Sequence, residues 1–134
     1  MAYVAAYLAA GVVFALLDGV WLTLAGPRLY QPILGELLAP KPRLGVAVIF
    51  YLTYILGIVL LAIAPTRDEA WTRTALTGAM LGAMAYATYD LTNQATLKVW
   101  STKITLMDIG WGAFVTAAGA IAGVMALRWA ERTF

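Results

Sequence analysis

Long apolar stretches alternate with short polar segments along the whole chain. The apolar stretches cover residues 2–25, 44–64, 74–92 and 103–129. Because the hydrocarbon core of a bilayer is about 30 Å thick and a helix rises about 1.5 Å per residue, roughly twenty apolar residues cross it. The pattern predicts an all-α polytopic membrane protein whose four transmembrane helices form one compact bundle. Gly26-Pro27 and Pro65 mark the predicted ends of the first two helices, and Ser101 is the predicted N-cap of the fourth.

The segment at residues 27–43 is too short to span the bilayer and too long to be only a turn. Apolar residues such as Leu29 and Ile33 alternate with polar ones, as in a short helix lying at the membrane surface. Pro40 and Pro42 stop it before the second span. We therefore predict an interfacial connector that lies on the headgroups. A lid over a site is the alternative.

Glycines four residues apart occur in the third and fourth spans, as Gly78 with Gly82 and Gly119 with Gly123. Small residues at this spacing let helices approach closely in lipid. At 100° per residue, the face that carries Gly82 continues into Asp90. This change from small to polar residues indicates an interior face.

Three acids, Asp18, Asp90 and Asp108, lie within the apolar spans. Asp18 is seven residues before Ala25 and hence about 10 Å from the end of its helix. In a four-span topology the three acids fall in the same leaflet, near the ends joined by the first and third loops. Each costs roughly 2–3 kcal/mol to insert, and carboxylates at this depth usually belong to functional sites.

Aromatic and polar residues accompany these acids and complete the predicted site. Asp18 and Asp108 are each followed three residues later by a tryptophan, so the acid and the ring share a helix face. The predicted ligand- or ion-binding residues are Asp18, Trp21, Tyr51, Tyr54, Tyr86, Tyr89, Asp90, Asn93, Lys98, Asp108 and Trp111. Buried acids can also be purely structural, through hydrogen bonds to Tyr, Asn and Trp.

Composition narrows the chemistry. The 134 residues are 63% hydrophobic and 12% charged, against roughly 25% charged in soluble domains, which excludes a soluble protein. The net charge of +2 fits Lys and Arg flanking the spans near lipid headgroups, so we expect a bilayer partner and no nucleic acid. Without cysteine or histidine there is no disulfide, thiolate or imidazole ligand, and we predict no cofactor and no bound metal.

The distribution of basic residues bears on orientation. The first and third loops carry five, which are Arg28, Lys41, Arg43, Lys98 and Lys103, and the terminal side carries four, which are Arg67, Arg73, Arg128 and Arg132. Because cytoplasmic loops are enriched in Lys and Arg, this small excess favours cytoplasmic first and third loops. We predict a multi-pass inner-membrane protein with periplasmic termini.

Three stretches, FALLDGVWLTL, LLAPKPRLGVAVIFYLTYILG and YATYDLTNQATLKVWSTKITLMDIGWG, together carry a resemblance to a known family. They resemble small bacterial four-helix membrane proteins catalogued as a domain of unknown function. The resemblance covers nearly the whole chain and implies a four-helix bacterial membrane protein. It implies no activity.

The site leaves several functions open. Aromatic walls with carboxylates would suit binding or transport of a small amphipathic or cationic ligand, or of protons. Because the chain is short for a complete transporter, we expect a homo-oligomer. The alternatives are a structural or accessory subunit of a membrane complex, and a membrane enzyme acting on lipid-like substrates. Such an enzyme would use carboxylates for acid–base chemistry or to hold Mg²⁺.

Overall fold

Four long helices and one short one make up the protein. The computed structural model describes all 134 residues. The helices are α1 (Ala2–Ala25), α2 (Gln31–Leu34), α3 (Leu44–Ile58), α4 (Trp71–Thr96) and α5 (Thr102–Thr133). There are no strands, and the predicted all-α membrane bundle is confirmed. Ser101 caps α5 as predicted, because its hydroxyl accepts a hydrogen bond of 3.2 Å from the Ile104 amide.

Three continuous helical stretches are long and apolar enough to cross a membrane: Ala2–Leu37, Leu44–Thr66 and Thr102–Thr133. Helix α4 has 26 residues, also enough to cross, but its threonines and polar aromatics make it less apolar than the other three. It presents Gly78, Gly82 and Asp90 to the interior and packs along α5.

The first helical stretch continues past Gly26-Pro27, whereas the second, Leu44–Thr66, ends beside Pro65 as predicted. After α1 the chain continues through a wider π turn, Gly26–Tyr30, directly into α2, so Gly26-Pro27 does not end the helix as predicted. Pro27 stands at the second position of the π turn, where the wider turn replaces the α-helical bonding pattern that a proline interrupts. Helix α3 continues in the same way through Val59–Ile63.

Helix α5 is the centre of the bundle. Its buried residues recur every three or four positions from Ile104 to Ala130, and they pack against α1 on one side and α4 on the other. Phe14 from α1 and Ile58 and Ile63 from α3 and its π turn complete the core. The core is therefore continuous along the length of α5.

Glycines let α4 and α5 touch backbone to backbone, as the glycine spacing predicts. A Cβ on Gly82 would overlap the carbonyl oxygen of Gly112, and one on Gly78 would lie 2.9 Å from the Ala120 Cβ. A Cβ on Gly112 would in turn overlap the ring of Tyr86. The contact thus sets the position of Tyr86 as well as the distance between the helices.

Helix α3 joins the bundle mainly through its C-terminal half. Ile55, Ile58 and the following π turn are buried. The first turns of α3 are exposed, for example Leu44 at 72% and Ile49 at 66%. A cleft therefore opens between α3 and α4 at the end where the acids lie.

The connector packs against the end of the bundle through two buried leucines. Leu29 and Leu34 are buried against Ala25 and Ile104, and Gly35 turns the chain with a φ of 47°. The leucines are buried there because the π turn carries the connector over the helix ends.

All ion pairs lie in or beside the loop at the opposite end of the molecule. Arg67 pairs with Asp68 and Glu131, and Arg73 pairs with Glu69. Arg128 also donates a bond of 3.1 Å to the backbone oxygen of Arg67, so the loop after α3 is tied to the end of α5.

Candidate functional site

A cavity of about 280 Å³ lies between α1, α4, α5 and the connector. Its walls are Asp18, Trp21, Leu22, Tyr30, Leu34, Leu38, Tyr86, Tyr89, Trp100, Asp108 and Trp111. Six of these eleven residues belong to the predicted site. Two of the six are carboxylates and four are aromatic.

Asp18 is held by two aromatic donors. It is 8% exposed, and its Oδ2 accepts a hydrogen bond from the Tyr51 hydroxyl. Its Oδ1 accepts a bond of 3.1 Å from the Trp111 indole nitrogen. Because these donors come from α3 and α5, the carboxylate links three helices.

Asp108 accepts a hydrogen bond from a residue of the connector. The Tyr30 hydroxyl donates to its Oδ1, and the same hydroxyl accepts a bond of 3.0 Å from the Trp21 indole. Asp108 is 5% exposed. The connector therefore supplies an aromatic donor to this carboxylate.

Two stacked tryptophans connect the hydrogen bonds around Asp18 with those around Asp108. Trp21 and Trp111 stack with ring centroids 4.7 Å apart and an interplanar angle of 7°. Trp111 bonds the acid of α1, while Trp21 connects through Tyr30 to the acid of α5. Each tryptophan thus interacts with the acid of the other helix, directly for Trp111 and through Tyr30 for Trp21, and not with the acid one turn before it.

Asp90 has a different environment. It is fully buried, and no donor bonds either of its carboxylate oxygens. Its carboxyl group lies beside that of Asp108, within hydrogen-bonding reach. Asp90 thus stands behind the cavity wall and contacts the site through a second acid.

The remaining predicted residues are placed in three ways. Tyr54 lies deeper, where its hydroxyl is 2.8 Å from the Thr116 hydroxyl and its ring packs edge-on against Tyr86. Asn93 is half-buried, lies within hydrogen-bonding reach of the Tyr89 hydroxyl and does not line the cavity. Lys98 is exposed in the loop, forms no ion pair and is also outside the cavity.

Tyr30 and Trp100 line the cavity but were not in the predicted site. On an uninterrupted α-helix, nine residues from Trp21 to Tyr30 span about 13 Å and end half a turn away. Only the bend at the π turn brings the two side chains within 3.0 Å. Trp100 packs edge-on against Tyr89 with centroids 5.6 Å apart. Tyr30 ends the π turn and Trp100 lies in the loop before α5. The only sequence signal of either was an aromatic residue near the predicted acids.

A second hollow adjoins the cavity on the side between α3 and α4. It has a volume of about 400 Å³ and is lined by Phe50, Tyr54, Ala85, Tyr86 and Tyr89. Tyr86 and Tyr89 also line the acid cavity, so the two spaces share a wall. We call this hollow the aromatic cleft.

The site contains negative charge without a matching cation. No Lys or Arg forms an ion pair with Asp18, Asp90 or Asp108, since every ion pair involves Arg67 or Arg73. No cluster of three or more acids, cysteines or histidines is arranged to hold a metal ion. The cavity therefore offers carboxylates and aromatic rings, with no basic side chain among its walls.

These features define a class: a polytopic helical membrane protein whose four-helix bundle encloses buried acids. A family model described as "Predicted membrane protein (DUF2177)" matches residues 3–125, and the chain belongs to this family. The resemblance found in the sequence is thereby confirmed. Neither the search of curated proteins nor the search of solved structures gave a match.

Proposed function

We propose that the protein binds a small amphipathic organic cation, with the charged head in the acid cavity. The observation that carries the proposal is the absence of any basic partner for the buried carboxylates. An unpaired charge in a site of low dielectric is costly, and a ligand of opposite charge offsets that cost. The head would meet Asp18 and Asp108.

The aromatic walls favour an organic cation over a small inorganic one. A quaternary or protonated amine within about 6 Å of a Trp or Tyr ring gains roughly 0.5–2 kcal/mol. Six aromatic residues of the cavity supply such rings: Trp21, Tyr30, Tyr86, Tyr89, Trp100 and Trp111. Small inorganic cations instead prefer several oxygen ligands, and only two carboxylates line this cavity.

The aromatic cleft supports an amphipathic ligand. It adjoins the cavity at Tyr86 and Tyr89, and its five lining residues carry no charge. Phe50 and Tyr89 are about half exposed on the outer surface of the bundle, which contacts lipid. An apolar tail could lie in the cleft while the head occupies the cavity.

The setting of this activity is part of the proposal. We place the protein in the bacterial inner membrane with periplasmic termini, following the small excess of basic residues in the first and third loops. Transport, as opposed to binding alone, would require a homo-oligomer of this short chain. Cross-linking in native membranes measures that state directly.

The test compares a charged ligand with its neutral isostere. Choline and 3,3-dimethylbutanol have nearly the same shape, but carbon replaces the quaternary nitrogen in the second. Titration of the protein in dodecyl maltoside, followed by tryptophan fluorescence and calorimetry, should detect choline and not the alcohol. Three of the five tryptophans line the cavity, so the fluorescence reports on the site.

Asp108→Asn should weaken choline binding at least about tenfold, which corresponds to roughly 1.4 kcal/mol. The matched control is Asp68→Asn, because Asp68 is an exposed acid in the loop at the opposite end. Equal binding of both probes would refute the proposal. Unchanged binding in Asp108→Asn with lowered thermal stability would assign the acids a structural role.

A further inference from the structure

Asp90 differs from the other two buried acids because it has no hydrogen-bond donor. Asp18 and Asp108 each accept bonds from aromatic side chains. Asp90 is fully buried, and both of its oxygens lack a partner. A buried carboxylate with neither a donor nor a cation is among the most costly arrangements in a protein.

Asp108 removes this cost if the two carboxyl groups hold one proton between them. The carboxyl groups of Asp90 and Asp108 are within hydrogen-bonding reach. Two carboxylates repel each other, whereas a carboxylic acid donates its O–H to a carboxylate in a short, strong bond. The pair is satisfied when it holds a single proton.

We infer that Asp90 and Asp108 share one proton in the empty site and release it when an organic cation binds at Asp108. This inference rests on the proposed function and adds an exchange to it: one cation is taken up for one proton. The O–H bond of the pair breaks, and the proton passes to water at the mouth of the cavity. No bond of the ligand changes. The pair gains one negative charge while the ligand adds one positive charge, so the total charge of the site is unchanged.

No titratable side chain around Asp90 and Asp108 offers another proton for exchange near pH 7, so the shared proton is the one that can be released. Asp18 on α1 is a carboxylate with two donors. The other titratable neighbours are phenols, whose ordinary pKa is about 10, so they stay neutral near pH 7. They are Tyr30 in the connector and Tyr86 and Tyr89 on α4, whereas Tyr51 and Tyr54 on α3 bond Asp18 and Thr116. No Lys or Arg from any element bonds to the pair.

The experiment counts protons during binding. Choline is added to the protein in weakly buffered dodecyl maltoside, and a pH dye measures the protons released for each choline bound. We expect close to one proton per choline. The affinity should also rise with pH, by about tenfold per unit while the pair holds its proton, since binding and the proton compete.

Asp90→Asn should bind choline without releasing a proton and with an affinity that no longer depends on pH over the same window. The asparagine amide can donate to Asp108 and replaces the shared proton. Asp18→Asn is the matched control, because it leaves the pair intact: its affinity falls, but each bound choline still releases a proton.

Infrared difference spectra give a second measurement that does not require a variant. The wild-type protein should lose the C=O stretching band of a protonated carboxyl group when choline is added. Choline binding without proton release, or proton release retained in Asp90→Asn, would overturn the exchange and leave the proposed function standing. Absence of choline binding would overturn both.

Discussion

Tyr30 is the residue on which the two halves of the cavity wall depend. Its hydroxyl donates to Asp108 and accepts from Trp21, and Trp21 stacks on Trp111, which bonds Asp18. One phenol thus completes a continuous series of contacts between two acids on different helices. It comes from the connector, the part of the chain with the weakest sequence pattern.

Tyr30→Phe should lower the midpoint of thermal unfolding, because Asp108 loses the hydroxyl that donates to its Oδ1. A hydrogen bond to a charged group contributes roughly 1.5–3 kcal/mol. Tyr7→Phe is the matched control, since its hydroxyl bonds only the backbone oxygen of Leu52 at 2.9 Å near the surface. Circular dichroism in dodecyl maltoside measures both midpoints. Equal midpoints for the two variants would contradict the importance assigned to Tyr30.

At this scale the sequence predicts acids better than their partners. Asp18, Asp90 and Asp108 are identifiable because a carboxylate within an apolar span is rare and costly. Their partners depend on how helices rotate against each other, which periodicity does not specify. Each of Trp21 and Trp111 was therefore expected beside the acid three residues before it. In the structure, Trp111 bonds Asp18, and Trp21 connects through Tyr30 to Asp108. Lys98 was included because the predicted pocket opens towards the third loop, but Lys98 is exposed and does not line the cavity.

At the scale of the helices, the contact between α4 and α5 determines the shape of the site. Gly82 meets the carbonyl of Gly112, and Gly112 leaves room for the ring of Tyr86. The same closeness brings Asp90 of α4 beside Asp108 of α5. A wider separation of these helices would remove the contact between the two acids.

Gly82→Ala should destabilise the bundle, because its new methyl group would overlap the Gly112 carbonyl oxygen. Overpacking of this kind typically costs about 1–3 kcal/mol. Gly110→Ala is the control, since nothing lies within 4 Å of a Cβ there. Thermal unfolding in detergent compares the two, and only Gly82→Ala should unfold earlier. A variant as stable as the control would mean that the helices can separate without loss.

The four long helices were predictable from sequence because bilayer thickness fixes their length, and the glycine spacing indicated close packing. The two π turns were not, because a single inserted residue leaves the apolar pattern almost unchanged. The packing of α3 through its C-terminal half was also not predictable. Its residues are apolar on all sides, so no face was marked as internal.

At the scale of the whole molecule, the ion pairs lie at one end of the bundle, and the cavity and the cleft lie at the other. The loop after α3 is joined to α5 by ion pairs and by Arg128. The opposite end holds the acid cavity, the connector and the aromatic cleft. This division was partly visible in the sequence, which put all three acids in one leaflet. The cleft was not, because it arises only from the position of α3.

Filling the aromatic cleft should remove the contribution of an apolar tail. Hexyltrimethylammonium should bind more tightly than tetramethylammonium, since each buried CH₂ is worth about 0.8 kcal/mol. Ala85→Phe places a ring in the cleft and should abolish that difference while tetramethylammonium binds as before. Ala15→Phe, on the exposed face of α1, is the control and should retain the difference. Calorimetric titration measures each affinity, and a tail effect that survives in Ala85→Phe would exclude the cleft as its site.

The exposed basic residues near the cavity have a consequence for the route by which a ligand arrives. Arg28, Lys41, Arg43, Lys98 and Lys103 are all exposed at this end, and none forms an ion pair. A cation approaching from water meets their repulsion within the screening distance of about 8 Å at physiological salt. A cation of the proposed kind that is already dissolved in the bilayer would reach Tyr86 and Tyr89 through the cleft without passing them. The charges on the rim would thus slow the aqueous approach of the proposed ligand and leave the lateral path through lipid as the faster one.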